Sequence, residues 1–149
     1  MKKKSMLSVL SIAIVLMTSC KSSEKVSALA DYKKNMLTVS SGGGFTGAEM
    51  ILTLLENGQV FSSSGFAPDK VTELGQLKSK EVKNIFSKAS KIDWKSTSIN
   101  EPGNMYKTLS FGKNGSMSKQ TWGGSSAVPS AELLNLYEEI NQLVKPLIK

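Results

Sequence analysis

The stretch AEMILTLLENGQVF, residues 48–61, contains the clearest indication of the fold. Two apolar runs flank Asn57-Gly58, and an Asn-Gly pair in this setting is a strong β-hairpin signal, because both residues tolerate the positive φ angles of a type I′ turn. The apolar spacing before Asn57 also fits a helix, but the run stops at the Asn-Gly pair and resumes directly after it. We therefore predict two antiparallel strands.

More strands are predicted on both sides of this hairpin. They lie at residues 36–41, 70–74, 105–111 and 116–122. The last two flank a second Asn-Gly pair, Asn114-Gly115, and should form a second hairpin.

Two amphipathic helices complete the pattern. The first is predicted to start with Ser79 as its N-cap, and its apolar residues recur at helical spacing as far as Ile92. The second begins near Ser130, just after Pro129. Hairpins followed by helices favour an antiparallel sheet with helices on one face. We predict one small α+β domain over residues 36–149, with a sheet of about five strands and two helices packed on one face.

The N-terminal twenty residues have the pattern of a secretion signal. Three lysines precede an apolar stretch at residues 6–17, which is too short to span a bilayer. Met17-Thr18-Ser19 then leads to Cys20, the only cysteine of the chain. This resembles the lipobox of bacterial lipoproteins, which implies cleavage before Cys20 and its acylation with fatty acids such as palmitate. The alternative is an ordinary signal peptide with a cysteine nearby by chance.

The lipobox resemblance divides the N-terminal part of the chain. Residues 1–19 would be the signal peptide, and residues 20–35 the lipidated cysteine and a flexible tether. Removing the signal lowers the net charge from +7 to +4. Since Lys21, not an acidic residue, follows the cysteine, we expect an outer-membrane lipoprotein that faces the periplasm, with display on the cell surface as the alternative.

The composition excludes several kinds of chemistry. The chain has no His and no Arg, which removes Ser-His-Asp catalysis, His-ligated zinc sites and bidentate recognition of phosphate or guanine. Residues 42–47 satisfy G-x-G-x-x-G, but the segment that follows is too short for a dinucleotide fold. We therefore expect no catalytic residues, no metal, no cofactor and no nucleic-acid partner.

The lysines around the first predicted helix allow two interpretations. They could attract acidic lipid headgroups or polymers, or they could form an ordinary solvated face. They lie at positions 78, 80, 83, 88 and 91.

The glycine-rich segment at residues 42–47 is the strongest candidate for a functional site. It is either a bend with Phe45 in the core, or a loop that docks against a partner, since glycines permit close approach and an aromatic ring supplies contact area. The candidate partner-binding residues are Gly43, Gly44, Phe45, Thr46 and Trp122.

The stretch Ser41-Gly42-Gly43-Gly44-Phe45-Thr46-Gly47 resembles the S-G-G-F-A-G segment of the emfourin family, which are small inhibitors of thermolysin-type metallopeptidases. The likeness extends over residues 36–147 in the order of elements, including a final helix after Val128-Pro129. The chain departs from the family by an insertion at residues 57–76 and by Met50-Ile51-Leu52 in the second strand. The resemblance implies an inhibitory loop at residues 42–47.

Two hypotheses for the function follow from these features. In the first, the chain is a monomeric lipoprotein that binds a protein of the cell envelope without catalysing a reaction. In the second, it is a peptidase inhibitor that inserts the loop at residues 42–47 into a protease cleft.

Overall fold

The structure is a computed structural model that describes residues 25–96, 98–126 and 128–148. Its elements are a 3₁₀ turn (Leu29–Asp31), β1 (Asn35–Gly43), β2 (Ala48–Leu55), β3 (Gln59–Ser64), β4 (Ala67–Gln76), α1 (Ser79–Ala89), β5 (Met105–Lys113), β6 (Ser116–Trp122), α2 (Ala131–Val144) and a final 3₁₀ turn (Lys145–Leu147).

All the strands belong to one antiparallel sheet in the order β4-β3-β2-β1-β5-β6. The predicted α+β class and the single antiparallel sheet with two helices are confirmed. The sheet has six strands instead of about five, because the short segment predicted at residues 70–74 is part of the longer strand β4.

Apolar and polar side chains alternate along the strands, so one face of the sheet is apolar, and this face packs against both helices. Leu37 and Val39 of β1, Leu52 and Leu54 of β2 and Leu109 of β5 are all nearly inaccessible to solvent. They join one core cluster with the buried apolar residues of α1 and α2. Burial of these side chains is the main term that holds the helices to the sheet.

The N-termini of the two helices differ in how well the local sequence predicted them. Helix α2 begins next to Ser130 as predicted, and Ser130 is its N-cap, whose side-chain oxygen accepts a hydrogen bond from the Leu133 amide at 3.3 Å. The prediction of Ser79 as the cap of α1 is wrong by one residue. Lys78 is the N-cap, and its backbone amide donates to Glu81 Oε2 at 3.1 Å, so that the glutamate side chain satisfies the free amide at this end.

Both Asn-Gly hairpins are present, but their turns are not of type I′. That turn requires positive φ at both central residues, and among the described residues only glycines have positive φ. At the first turn the Gly58 amide donates to the Leu55 carbonyl at 2.9 Å, and Gly58 has a φ of 94°. This geometry is typical of a three-residue hairpin loop that ends in a left-handed glycine.

Part of the expected tether packs against the second face of the sheet. Tyr32 is 5% exposed and lies in a cluster with Met36, Leu55 and Phe61. The Val26 amide and carbonyl both bond to the Gln59 side chain, at 2.8 and 3.0 Å. Residues 26–34 therefore belong to the folded domain.

Different turns and chain segments lie at the two ends of the sheet. We call the end with the Asn57-Gly58 and Asn114-Gly115 turns the Asn-Gly end, and residues 25–34 contact the sheet there. We call the opposite end, where β1 turns into β2 and β3 into β4, the loop end.

Candidate functional site

Residues 44–47 form a four-residue loop that joins β1 to β2 at the loop end. Its shape is held by two hydrogen bonds, from the Gly47 amide to the Gly44 carbonyl at 3.1 Å and from the Ala48 amide to Thr46 Oγ1 at 3.3 Å. Gly44 and Gly47 have φ angles of 72° and 62°, which side chains with a Cβ rarely adopt. The glycines therefore allow a compact turn.

Phe45 projects from this loop into solvent. Its relative exposure is 108%, the largest among the exposed apolar residues of the described chain. The interpretation in which Phe45 lies in the core is wrong, because residues 44–47 form a turn beyond the strand ends and the Phe45 ring is fully exposed there. Thr46 is exposed beside it, while its hydroxyl is used within the turn.

The base of the loop is fixed by backbone contact with the segment before β5. The Gly44 amide donates to the Asn104 carbonyl at 2.6 Å. A Cβ built on Gly43, where φ is 104°, would stand only 2.1 Å from the same oxygen. Both close approach and backbone conformation thus require glycine at Gly43.

The same close approach continues to the end of β6. A Cβ on Gly103 would stand 2.2 Å from the Gly123 carbonyl oxygen, and one on Gly123 would stand 2.2 Å from the Met105 carbonyl oxygen. Three chain segments therefore meet backbone to backbone beside the loop. This arrangement leaves little freedom in the position of the loop relative to β5.

Two other exposed apolar side chains lie at the loop end. Met105 is 62% exposed, and its sulfur would be 3.2 Å from a Cβ on Gly44. Phe66 is 70% exposed in the turn from β3 to β4, where the Gly65 amide donates to the Glu49 carbonyl at 3.0 Å. We call Phe45, Phe66 and Met105 the loop-end surface. The pattern of the sequence did not indicate Phe66 or Met105, because neither stands in an unusual motif.

Trp122 does not lie on this surface. It is 7% exposed, and its ring meets the Tyr137 ring edge to face with centroids 5.3 Å apart. Lys107 stands over the other ring of this pair, 5.0 Å from the Tyr137 centroid. Trp122 therefore fixes α2 to the sheet and supports the loop end from within the core.

A polar cluster lies under the loop on the face of the sheet that is not covered by helices. Ser40 Oγ donates to Glu49 Oε1 at 2.6 Å, which joins β1 to β2. The Tyr106 hydroxyl would be 3.0 Å from a Cβ on Gly42, so the ring lies across that glycine. Burial, and then the Glu49 carboxylate, raises the pKa of Tyr106 above its ordinary value of 10.0. No pattern in the sequence indicates this cluster, since its members come from three strands.

The described part of the chain has neither a cluster of metal ligands nor a membrane-spanning helix. No group of three or more potential ligands there could hold a metal ion. None of its helices is long and apolar enough to cross a membrane. Cys20 and the signal peptide predicted at residues 1–19 lie outside the described residues.

No protein-family model matches the chain, and no curated protein matches it significantly.

Proposed function

We propose that this chain is a lipid-anchored protein-binding module of the bacterial cell envelope, attached through Cys20 and acting without catalysis. The observation that carries the proposal is the full exposure of Phe45 on a loop of fixed shape. Exposed aromatic and other apolar side chains at one end of a domain are typical of protein-interaction surfaces.

The geometry of the loop supports this proposal further. Its internal hydrogen bonds and the glycine contacts at its base fix the loop before a partner arrives. A surface that is already ordered loses less conformational entropy on binding. Phe45, Phe66 and Met105 are then the contact residues, whereas Gly43, Gly44 and Trp122 hold the loop in place.

The anchor is tested by metabolic labelling of the full-length chain with palmitate. We expect label on the wild type and none on Cys20→Ser. An unlabelled wild-type chain, or one that keeps its leader, would contradict the proposed anchor.

Binding is tested by placing a photo-crosslinking amino acid at position 46 of the full-length protein in cells. We expect one envelope protein to be captured there and not from position 116, at the opposite end of the sheet. The crosslink should be lost in Phe45→Ala and kept in Val71→Ala, which truncates an apolar side chain that is 40% exposed on β4. Equal capture at both positions, or no effect of Phe45→Ala, would overturn this function.

The second candidate is inhibition of thermolysin-type metallopeptidases by the same loop. A protruding hairpin loop of fixed shape that carries one fully exposed aromatic favours it, as does the resemblance to emfourins. The test is a titration of such an enzyme with the mature chain carrying Cys20→Ser. Absence of inhibition at micromolar protein would remove this candidate.

A further inference from the structure

The place where the chain enters the domain is far from the loop-end surface. Val26 is bonded to Gln59, next to the Asn57-Gly58 turn, whereas Phe45 follows the other end of β1. A strand of nine residues, such as β1, spans about 30 Å. The chain therefore reaches the domain at the Asn-Gly end.

The first helix covers this same end on the other side of the sheet. A Cβ on Gly58 would lie 3.5 Å from a methyl carbon of Val82, and the Phe86 and Phe111 rings stand 6.3 Å apart. Helix α2 lies nearer the loop end, where the Tyr137 hydroxyl donates to the Ser40 carbonyl at 3.2 Å. The Asn-Gly end is thus bounded by α1 on one face and by residues 25–34 on the other.

Four exposed lysines surround this end. Lys33 and Asn114 both approach the Ala30 carbonyl, each at 3.4 Å, which brings Lys33 beside the strand end that carries Lys113. Lys34 directly precedes β1. Lys88 lies on the side of α1 that faces α2, because it forms an ion pair with Glu139 of α2 at 2.6 Å. Lys83 lies on the opposite flank of the helix.

These lysines carry four positive charges on exposed side chains. None of the four is in an ion pair with another described residue. Asp31 and Glu56 line one pocket with Lys33 and Lys34 and offset part of this charge, but neither forms an ion pair with them. Glu56 instead accepts a bond from Asn35 at 3.0 Å, and Glu81 accepts one from the amide of Lys78.

We propose that the Asn-Gly end is a membrane-facing surface on which Lys33, Lys34, Lys83 and Lys113 bind the anionic phosphate headgroups of the anchoring bilayer. This inference rests on the proposed lipid anchor. From Cys20 to Lys25 the chain can extend by at most about 18 Å, which keeps these lysines near the headgroups. Each lysine at an anionic surface strengthens association about fivefold. The loop-end surface then points away from the membrane, toward a partner in the aqueous compartment.

The test uses the mature lipidated protein reconstituted in liposomes. One thiol-reactive donor dye is placed at Ser116→Cys, at the Asn-Gly end, or at Thr46→Cys, at the loop end; acylation leaves no other free thiol. Energy transfer to an acceptor on lipid headgroups reports which end lies closer. In vesicles with anionic lipid we expect clearly higher transfer from position 116, and a smaller difference between positions in purely zwitterionic vesicles.

The decisive variant reverses all four charges to Glu. We expect it to remove the anionic-lipid effect on transfer, while the matched reversal of Lys70, Lys91, Lys119 and Lys145 keeps it. Three results would overturn the proposed orientation. They are equal energy transfer from both positions in anionic vesicles, an anionic-lipid effect on transfer that is unchanged in the first variant, and equal loss of that effect in both variants. These outcomes leave the protein-binding function intact, because no partner is present. A wild-type chain without palmitate would instead overturn both the anchor and the orientation that rests on it.

Discussion

The two ends of the sheet each carry an aromatic residue outside regular structure, and they use it in opposite ways. At the Asn-Gly end Tyr32 is 5% exposed and holds the incoming chain against Met36 and Phe61. At the loop end Phe45 is fully exposed and contacts no part of the core. The first aromatic therefore stabilises the fold, whereas the second adds no buried surface to it.

The largest effect is expected for Tyr32→Ala. Removing a buried aromatic ring opens a cavity, which should lower the free energy of unfolding by about 3 kcal/mol. Tyr32→Phe is the matched control and should change stability by less than about 1 kcal/mol, because the buried hydroxyl makes no hydrogen bond of ordinary geometry to another described residue. Urea denaturation measures both. A stability unchanged in Tyr32→Ala would mean that residues 26–34 are a tether after all.

At the loop end, the free energy of unfolding should depend most on the backbone geometry at Gly43. Gly43→Ala places a Cβ against the Asn104 carbonyl at a φ of 104°, and we expect a loss of about 3 kcal/mol. Gly47→Ala is the control, because its Cβ would meet nothing within 4 Å at a φ of 62°, so only the left-handed backbone costs about 1 kcal/mol. Similar melting temperatures for the two variants would show that the base of the loop can move.

Phe45→Ala should leave the free energy of unfolding almost unchanged. A side chain that contacts only solvent contributes little to folding, so we expect a change of less than about 0.5 kcal/mol. Phe61→Ala, at a position 5% exposed, should by contrast lose about 3 kcal/mol or more. If thermal unfolding showed equal losses, the Phe45 ring would have to pack on the domain, and the contrast between the two ends would fail.

The smallest effect concerns Tyr106 at high pH. Its pKa is raised in the folded protein, so folding favours the neutral phenol. That contribution is complete below pH 10.0, the ordinary pKa, and is lost as the pH rises through the folded pKa. Spectrophotometric titration should show that Glu49→Gln lowers the Tyr106 midpoint and leaves Tyr137 unchanged, since burial is the main cause of the raised pKa of Tyr137. An unchanged Tyr106 midpoint would mean that burial alone causes its shift.

Sequence reasoning succeeded where the signal is local. The two Asn-Gly pairs mark both hairpins, and Ser130 marks the start of α2. It was wrong by one residue at α1, because the Glu81 side chain satisfies the Lys78 amide and makes a serine cap unnecessary. The turn type was wrong because Asn-Gly fits several turns, and the hydrogen bonds of the flanking strands select among them.

The candidate site could be predicted only in part. The glycines at residues 42–47 indicated a special loop, but no periodicity in the sequence tells whether Phe45 points inward or outward. Val26 and Tyr32 lie in a polar stretch too short to show a pattern, so their packing on the sheet was missed. The Ser40–Glu49–Tyr106 cluster depends on strand register across the sheet, which only the folded chain reveals.

The close backbone contacts at Gly43, Gly103 and Gly123 affect which substitutions this fold can accept during evolution. These three positions carry the steric demands of the framework, whereas Phe45 carries none. Mutation could therefore replace the tip residue freely while the glycines beneath it stay the same, and a new binding preference could arise without a new fold. Relatives of this chain would then be recognised by their glycines and distinguished by the side chain that stands at position 45.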